Sequence, residues 1–191
     1  MKLYYNKPSP YARKVLVAAH ETGLADRLTL CEVDPWSDPA ELHALAPVGR
    51  VPALIMDNGA VLSESTAICE HLDAIGNDRA LVDGERLSTM ARIGLAQGLI
   101  DAAFGIVIEA RRPAEAQWTH WTERQRRAIE RILPRAETAD DGFDLGDIAL
   151  ACGLAYLDFR LPEIAWRFAH PTLAQWLDGI NERPSMQATQ P

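Results

Sequence analysis

The stretch from Pro47 to Thr66, PVGRVPALIMDNGAVLSEST, constrains the fold more than any other part of the chain. Val51-Pro52 stands just before the apolar run Ala53-Leu54-Ile55-Met56. Proline has no N–H for a sheet ladder, so it belongs at a strand start or on an edge, and X-Pro is the only common cis linkage. Asp57-Asn58-Gly59 is a turn signal, with Asn-Gly the favoured two-residue hairpin loop. A second short strand, Ala60 to Leu62, follows. Ser63-Glu64-Ser65-Thr66 then offers several helix caps ahead of Ala67, Ile68, Leu72 and Ile75, which repeat at helical spacing. The segment therefore reads as a hairpin that feeds a helix start.

A helix start presents unpaired N–H groups and a positive dipole end, which suit a carboxylate. Ser65 adds a hydroxyl donor and Glu64 can hold an ammonium group. If Val51-Pro52 is an exposed cis turn, the Val51 backbone is free to pair with a short extended peptide, as a sheet edge does. Such a site takes a small peptide that carries both an amine and a carboxylate. The same residues also read as a plain hairpin and a capped helix, and local physics leaves both readings open.

Upstream, Leu3 to Tyr5 is a short strand and Asn6-Lys7-Pro8-Ser9-Pro10 a loop. Ser9 is a good N-cap and Pro10 a good first helical residue. Tyr11, Val15, Ala18 and Ala19 mark the inner face of that helix, and Leu28 to Val33 is the next strand. A strand–helix–strand unit implies parallel strands. Asp34 to Ala46 is loop with one helical turn. Residues 1–78 thus form an α/β unit on a four-stranded mixed sheet, with one parallel and one antiparallel pair. Residues 79–84 read as a linker and 85–191 as an all-helical domain. In that domain Met90 to Ile108 carry one long helix and Pro113 opens the next. Glu123 and Arg127 pair on a solvated face of this second helix. Asp140 to Phe143 is a loop; Asp144 and Asp147 cap an apolar helix as a capping box does. Pro171 opens a last helix, Pro184 ends it, and the tail to Pro191 is expected to be loose.

Composition excludes several classes. A net charge of -8 argues against a nucleic-acid partner. No run approaches the ~18 apolar residues that span a membrane. Three widely spaced cysteines, Cys31, Cys69 and Cys152, point to free thiols in a reducing cytoplasm; each reads as a small buried hydrophobe. The five histidines show no metal-ligand spacing.

Four segments in this order resemble the glutathione transferase superfamily, with a small bacterial serine-type member the nearest in character. Ser9-Pro10-Tyr11-Ala12-Arg13-Lys14-Val15 looks like its serine-type first-helix motif. Pro47 to Leu54 looks like its cis-proline segment, Glu64-Ser65 its dipeptide, and Asp144 to Asp147 sits where the family has a Ser/Thr-x-x-Asp cap. The resemblance covers nearly the whole chain. It implies a thioredoxin-like N-terminal domain carrying a glutathione site, a C-terminal helical bundle contributing a second substrate, and a homodimer; with the cysteine and histidine patterns above, the expectation is a cytoplasmic homodimer without metal. The implied reaction is addition of the glutathione thiolate to a small electrophile, a detoxification chemistry. The alternatives are a non-catalytic glutathione-fold protein that binds a partner, or a glutathione-dependent isomerase, dehalogenase or peroxidase.

On the same resemblance Ser9 donates a hydrogen bond to the thiolate. A thiol near its ordinary value of ~8.5 is only about 3% ionised at neutral pH; lowering it to ~6.5 requires about 2.7 kcal/mol of preferential stabilisation. One hydrogen bond to the anion, roughly 1.5–3 kcal/mol, together with a helix N-terminus, is of that size. Tyr4 and Tyr5 are rivals for this role or plain sheet residues, and the Cys-x-x-Cys of a dithiol oxidoreductase is absent, Ser9 filling that place. Val51 pairs through its backbone with the cysteinyl part, Glu64 and Ser65 hold the γ-glutamyl end, and Arg50 reaches the glycyl carboxylate or is solvated. His43 and Trp36 border that end; Asp101 reaches glutathione across the dimer or is a surface carboxylate. Tyr11, Phe104, Ile108 and Arg111 stand either in the second-substrate wall or in the core.

Overall fold

The sheet follows from short β-rich segments broken by Pro, Gly and Asn. In this computed structural model, which describes residues 1–76, 80–82, 86–139 and 142–191, four strands align in the order β2-β1-β3-β4: β1 (Lys2–Tyr5), β2 (Thr29–Glu32), β3 (Ala53–Ile55) and β4 (Val61–Ser63). β1 and β2 are parallel, with Tyr4 opposite Cys31. β1 and β3 are antiparallel, with Tyr4 opposite Ala53, as are β3 and β4, with Ala53 opposite Ser63. The expected mixed sheet is found.

Helix α1 (Pro10–Glu21) connects the parallel pair. The short α2 (Ala40–Leu45) and a cis Val51-Pro52 peptide lead into β3. Helix α3 (Ser65–Ile75) leaves β4 and packs beside α1. Leu3, Val15, Ala18, Leu54, Ile68 and Leu72 are fully buried and form the core between sheet and helices.

Residues group into two compact units, Met1–Asp83 with Pro184–Pro191, and Gly84–Arg183. Of the linker expected at 79–84, Arg79, Asp83 and Gly84 lie outside the described residues, as do Asn77 and Asp78 before it and Glu85 after it. Leu81 within that stretch is fully buried, and its N–H donates to the Asp73 carboxylate. Asp140 and Asp141 of the expected 140–143 loop also lie outside.

The second unit is helical. It comprises α4 (Arg86–Glu109), α5 (Thr119–Ile132), α6 (Leu145–Arg160), α7 (Trp166–Ala169) and α8 (Pro171–Asn181). Asp144 caps α6 through a reciprocal bond with Asp147, as the sequence predicts. Gly153 lets α4 approach α6 closely: a Cβ there would stand 3.2 Å from Leu99 Cδ2. By length and composition alone α4 is apolar enough to cross a membrane, although its apolar residues form no unbroken run of that length; it packs on α5 and α6.

Three expectations are corrected. Pro113 leads into a short 3-10 turn rather than α5, which begins at Thr119. Cys31 is partly exposed, because β2 is an edge strand. The terminal residues are not a loose end of the helical domain: Pro184–Ala188 form α9 and belong with the first unit. Met186 is fully buried there, the Arg13 guanidinium donates to its carbonyl oxygen at 3.1 Å, and Ser185 Oγ donates to Glu21 at 2.5 Å.

Candidate functional site

Strand register assembles the sequence-predicted residues at one end of the sheet. Tyr4 pairs with Ala53, and Ala53 with Ser63. The C-terminal end of β1, the start of β3 and the C-terminal end of β4 are therefore neighbours. The Asn6–Ser9 loop, Val51-Pro52 and Glu64-Ser65 extend from those three ends, and α1 and α3 both begin there. Two helix N-termini, each with a positive dipole end, thus serve one edge of the first unit.

Ser9 is the N-cap of α1. Its Oγ accepts the Ala12 N–H at 3.2 Å, and the residue is half-buried. Capping uses a lone pair of the hydroxyl, not its proton. No hydrogen bond among the described residues consumes that proton, so cap and donor are compatible roles for one side chain.

Glu64 is the N-cap of α3, and it sits at φ 93, a region that side-chain-bearing residues rarely adopt. Such a residue costs roughly 1–3 kcal/mol and persists where its surroundings over-determine it. Its carboxylate accepts from Thr66 N–H at 2.9 Å, Ala67 N–H at 3.1 Å and Ser65 Oγ at 3.2 Å. Partial burial works to raise the Glu64 carboxyl, but the two backbone N–H groups, the Lys14 ammonium and the Ser65 hydroxyl outweigh it and hold the group below its ordinary value. Ser65 itself is buried. The chain's own carboxylate thus takes part of the helix terminus that the sequence offers to a ligand.

Lys14 was not singled out by sequence reasoning. It is fully buried, and its Nζ donates to Thr66 Oγ1 at 3.0 Å, tying the first turns of α1 and α3 together. The signal was present: position 14 falls on the i, i+3, i+4 stripe of Val17 and Ala18, so the helix turns a cation inward.

Val51 packs against a core cluster of Tyr4, Leu42, Ala46 and Ala53. Among the described residues its backbone makes no backbone hydrogen bond. Arg50 is exposed and forms no ion pair among the described residues. His43 lies beside the same loop: Gly49, at φ +64, would place a Cβ 3.1 Å from His43 Nε2. Trp36 is 57% exposed.

The rival tyrosines are disposed otherwise. Tyr4 is 1% exposed, and its hydroxyl donates to the Glu41 carboxylate. That hydrogen bond, followed by burial, pushes Tyr4 up to about 12. Burial and then the nearby Glu32 charge raise Tyr5. Asp101, exposed and bonded to Gln97 at 3.0 Å, belongs to the second unit with Phe104, Ile108 and Arg111. Among the described residues no group of three or more His, Cys, Asp or Glu is placed to share a metal ion.

The chain is similar to known proteins over both units. Residues 8–75 match the family described as glutathione S-transferase, N-terminal domain, and residues 119–179 the glutathione S-transferase, C-terminal domain. A glutathione transferase family member from Pseudomonas fluorescens Pf-5, solved with bound glutathione, is 40% identical with a TM-score of 0.94, covering 100% of this chain and 98% of that one. A glutathione S-transferase from Methylobacterium radiotolerans, in complex with glutathione sulfonate, is 32% identical with a TM-score of 0.91, over 100% and 94%. The uncharacterized GST-like protein YibF of Escherichia coli is 28% identical over 202 residues, spanning 100% of this chain and 98% of its own.

Proposed function

The chain belongs to the glutathione transferase family, and from that premise we propose that it binds glutathione and adds its thiolate to a small electrophile. The observation that carries the reading is Ser9: a capping hydroxyl at a helix N-terminus whose proton is still available to an anion. In this reading Ser9 donates to the thiolate, the Val51 backbone pairs with the cysteinyl residue, Glu64 and Ser65 hold the γ-glutamyl end, and Arg50 meets the glycyl carboxylate. The thiol proton leaves to solvent. The sulfur lone pair then forms the S–C bond, and the displaced electron pair departs with the leaving group or is protonated on the conjugate. A cytoplasmic homodimer completes the reading.

The test is calorimetric titration of the protein with glutathione and with S-methylglutathione. Binding of both, with proton release for the free thiol alone, is the expected result. Absence of binding at millimolar concentration overturns the reading. A second reading, a non-catalytic glutathione-fold protein that binds a partner, is favoured by one observation: Glu64 already occupies the Thr66 and Ala67 N–H groups that a ligand carboxylate would use. Absence of glutathione binding at millimolar concentration selects it.

A further inference from the structure

Helix α2 has little of its own to hold it. It is six residues long, and its N-cap, Pro39, makes no side-chain capping bond. Isolated helices of this length do not persist in water. Its Leu42, and Ala46 just past its last residue, are buried in the cluster that contains Tyr4 and Ala53 and against which Val51 packs. Glu41, in the first turn, does not fold back onto its own helix terminus; its carboxylate accepts the Tyr4 hydroxyl. One strand residue thus shares a buried cluster with Leu42 of α2 and holds the helix again through its hydroxyl.

The far end of α2 is coupled to the loop that follows. The Gly49 N–H donates to the Ala46 carbonyl at 2.9 Å. The His43 ring lies so close to Gly49 that a Cβ would contact it at 3.1 Å. Arg50 and Val51 come next in the chain. A displacement of α2 is therefore passed through Ala46, His43 and Gly49 to the two residues beside the cis-proline.

We propose that Tyr4 and Glu41 are a positioning pair, which holds α2 on β1 and so sets where Arg50 and His43 stand for the terminal carboxylate of the bound peptide. The inference rests on the glutathione reading above. With the γ-glutamyl end at Ser65 and the cysteinyl backbone paired at Val51, an extended tripeptide carries its glycyl carboxylate past Val51, away from Ser65. The exposed cation next along the chain is Arg50. Neither Tyr4 nor Glu41 touches the ligand in this account; they act through α2.

The experiment compares two ligands that differ only in the glycine, glutathione and γ-glutamylcysteine, on the wild type, Tyr4→Phe and Glu41→Ala. Tyr4→Phe retains the packed ring and removes only the hydroxyl. Glu41 is exposed, so Glu41→Ala repeats the test on a side chain the core does not need. The expected result is a dissociation constant for glutathione raised about fivefold in both variants, with that for γ-glutamylcysteine changed by less than about twofold. A merely structural role lowers the melting temperature yet leaves the ratio of the two constants at its wild-type value. An unchanged ratio in both variants overturns the positioning role while the glutathione reading stands. Wild-type protein that binds neither ligand overturns both.

Discussion

At the residue scale, Ser9 and Glu64 each serve two functions that separate measurements can divide. Ser9 accepts the Ala12 N–H, so Ser9→Ala should cost ~1 kcal/mol of stability as a lost N-cap, read by urea unfolding. The same variant should bind glutathione within a few fold of wild type yet lose most of the ultraviolet absorbance of bound thiolate. An undiminished thiolate band would remove Ser9 from the chemistry and leave it a cap. Glu64 has its carboxyl held below the ordinary value of 4.5. A group depressed in the folded state contributes stability that is present above its unfolded value and lost as pH falls through the folded one. The stability difference between wild type and Glu64→Gln should therefore be widest near neutrality and shrink below about pH 4.5. Thermal unfolding across that range checks it, and a difference independent of pH would count against the assigned hydrogen bonds.

At the element scale, helix ends carry much of the specification. The capping box of α6 is legible from Asp144 and Asp147 alone. Its third member is not: Arg92, on α4, donates to Asp144 at 3.1 Å and to Asp147 at 3.2 Å. Burial, only partly offset by hydrogen bonds and by Arg92, raises the Asp147 carboxyl from its ordinary 3.8. Arg92→Leu would leave two buried carboxylates without their cation and should cost about 3–5 kcal/mol. A carboxyl raised in the folded state loses stability as pH climbs above its unfolded value. The penalty should thus be larger at about pH 7 than at about pH 4. Chemical unfolding at the two pH values decides it; equal losses would mean the arginine contributes packing only. Helix α2 is the opposite case: its sequence carries weak helix signals, and β1 and the core cluster hold it in place.

At the scale of the whole molecule, the last eight residues are the element that local reading misplaced. Pro184 is a sound helix stop, yet it is also a sound first helical residue, and nothing nearby distinguishes the two. The difference comes from contacts 173 and 164 positions away in sequence, Arg13 with the Met186 carbonyl and Ser185 with Glu21. A chain ending at Arg183 should strip Met186 from the core, at roughly 2–5 kcal/mol by analogy with large-to-small core substitutions, and leave the buried Arg13 side chain short of partners. Hydrogen exchange of the α1 amides should accelerate in proportion. Exchange unaltered by the truncation would show that the terminal helix docks without supporting α1.

The order of the strands and main helices, the mixed sheet, a hairpin turn within Asp57-Asn58-Gly59, the caps of α1 and α6 and the change to an all-helical second half were determined by sequence, because propensity, periodicity and capping act over a few neighbouring residues. The turn itself centres on Asp57-Asn58 rather than Asn58-Gly59, the Gly59 N–H donating to the Met56 carbonyl at 2.9 Å. The same local signals marked Val51, Glu64 and Ser65 as candidate binding residues and Ser9 as a helix cap, since each stands at a strand end or helix start; the thiolate role of Ser9 came from the family resemblance alone. Tertiary structure decided the rest: that Lys14 turns inward to Thr66, that Tyr4 reaches Glu41 rather than facing solvent, that Glu64 spends its carboxylate on its own helix, and that residues 184–191 return to the first unit. These depend on which side chains meet across strands and helices. The free energy of such meetings is set by burial and by the partner present, and neither is written in the residues on either side.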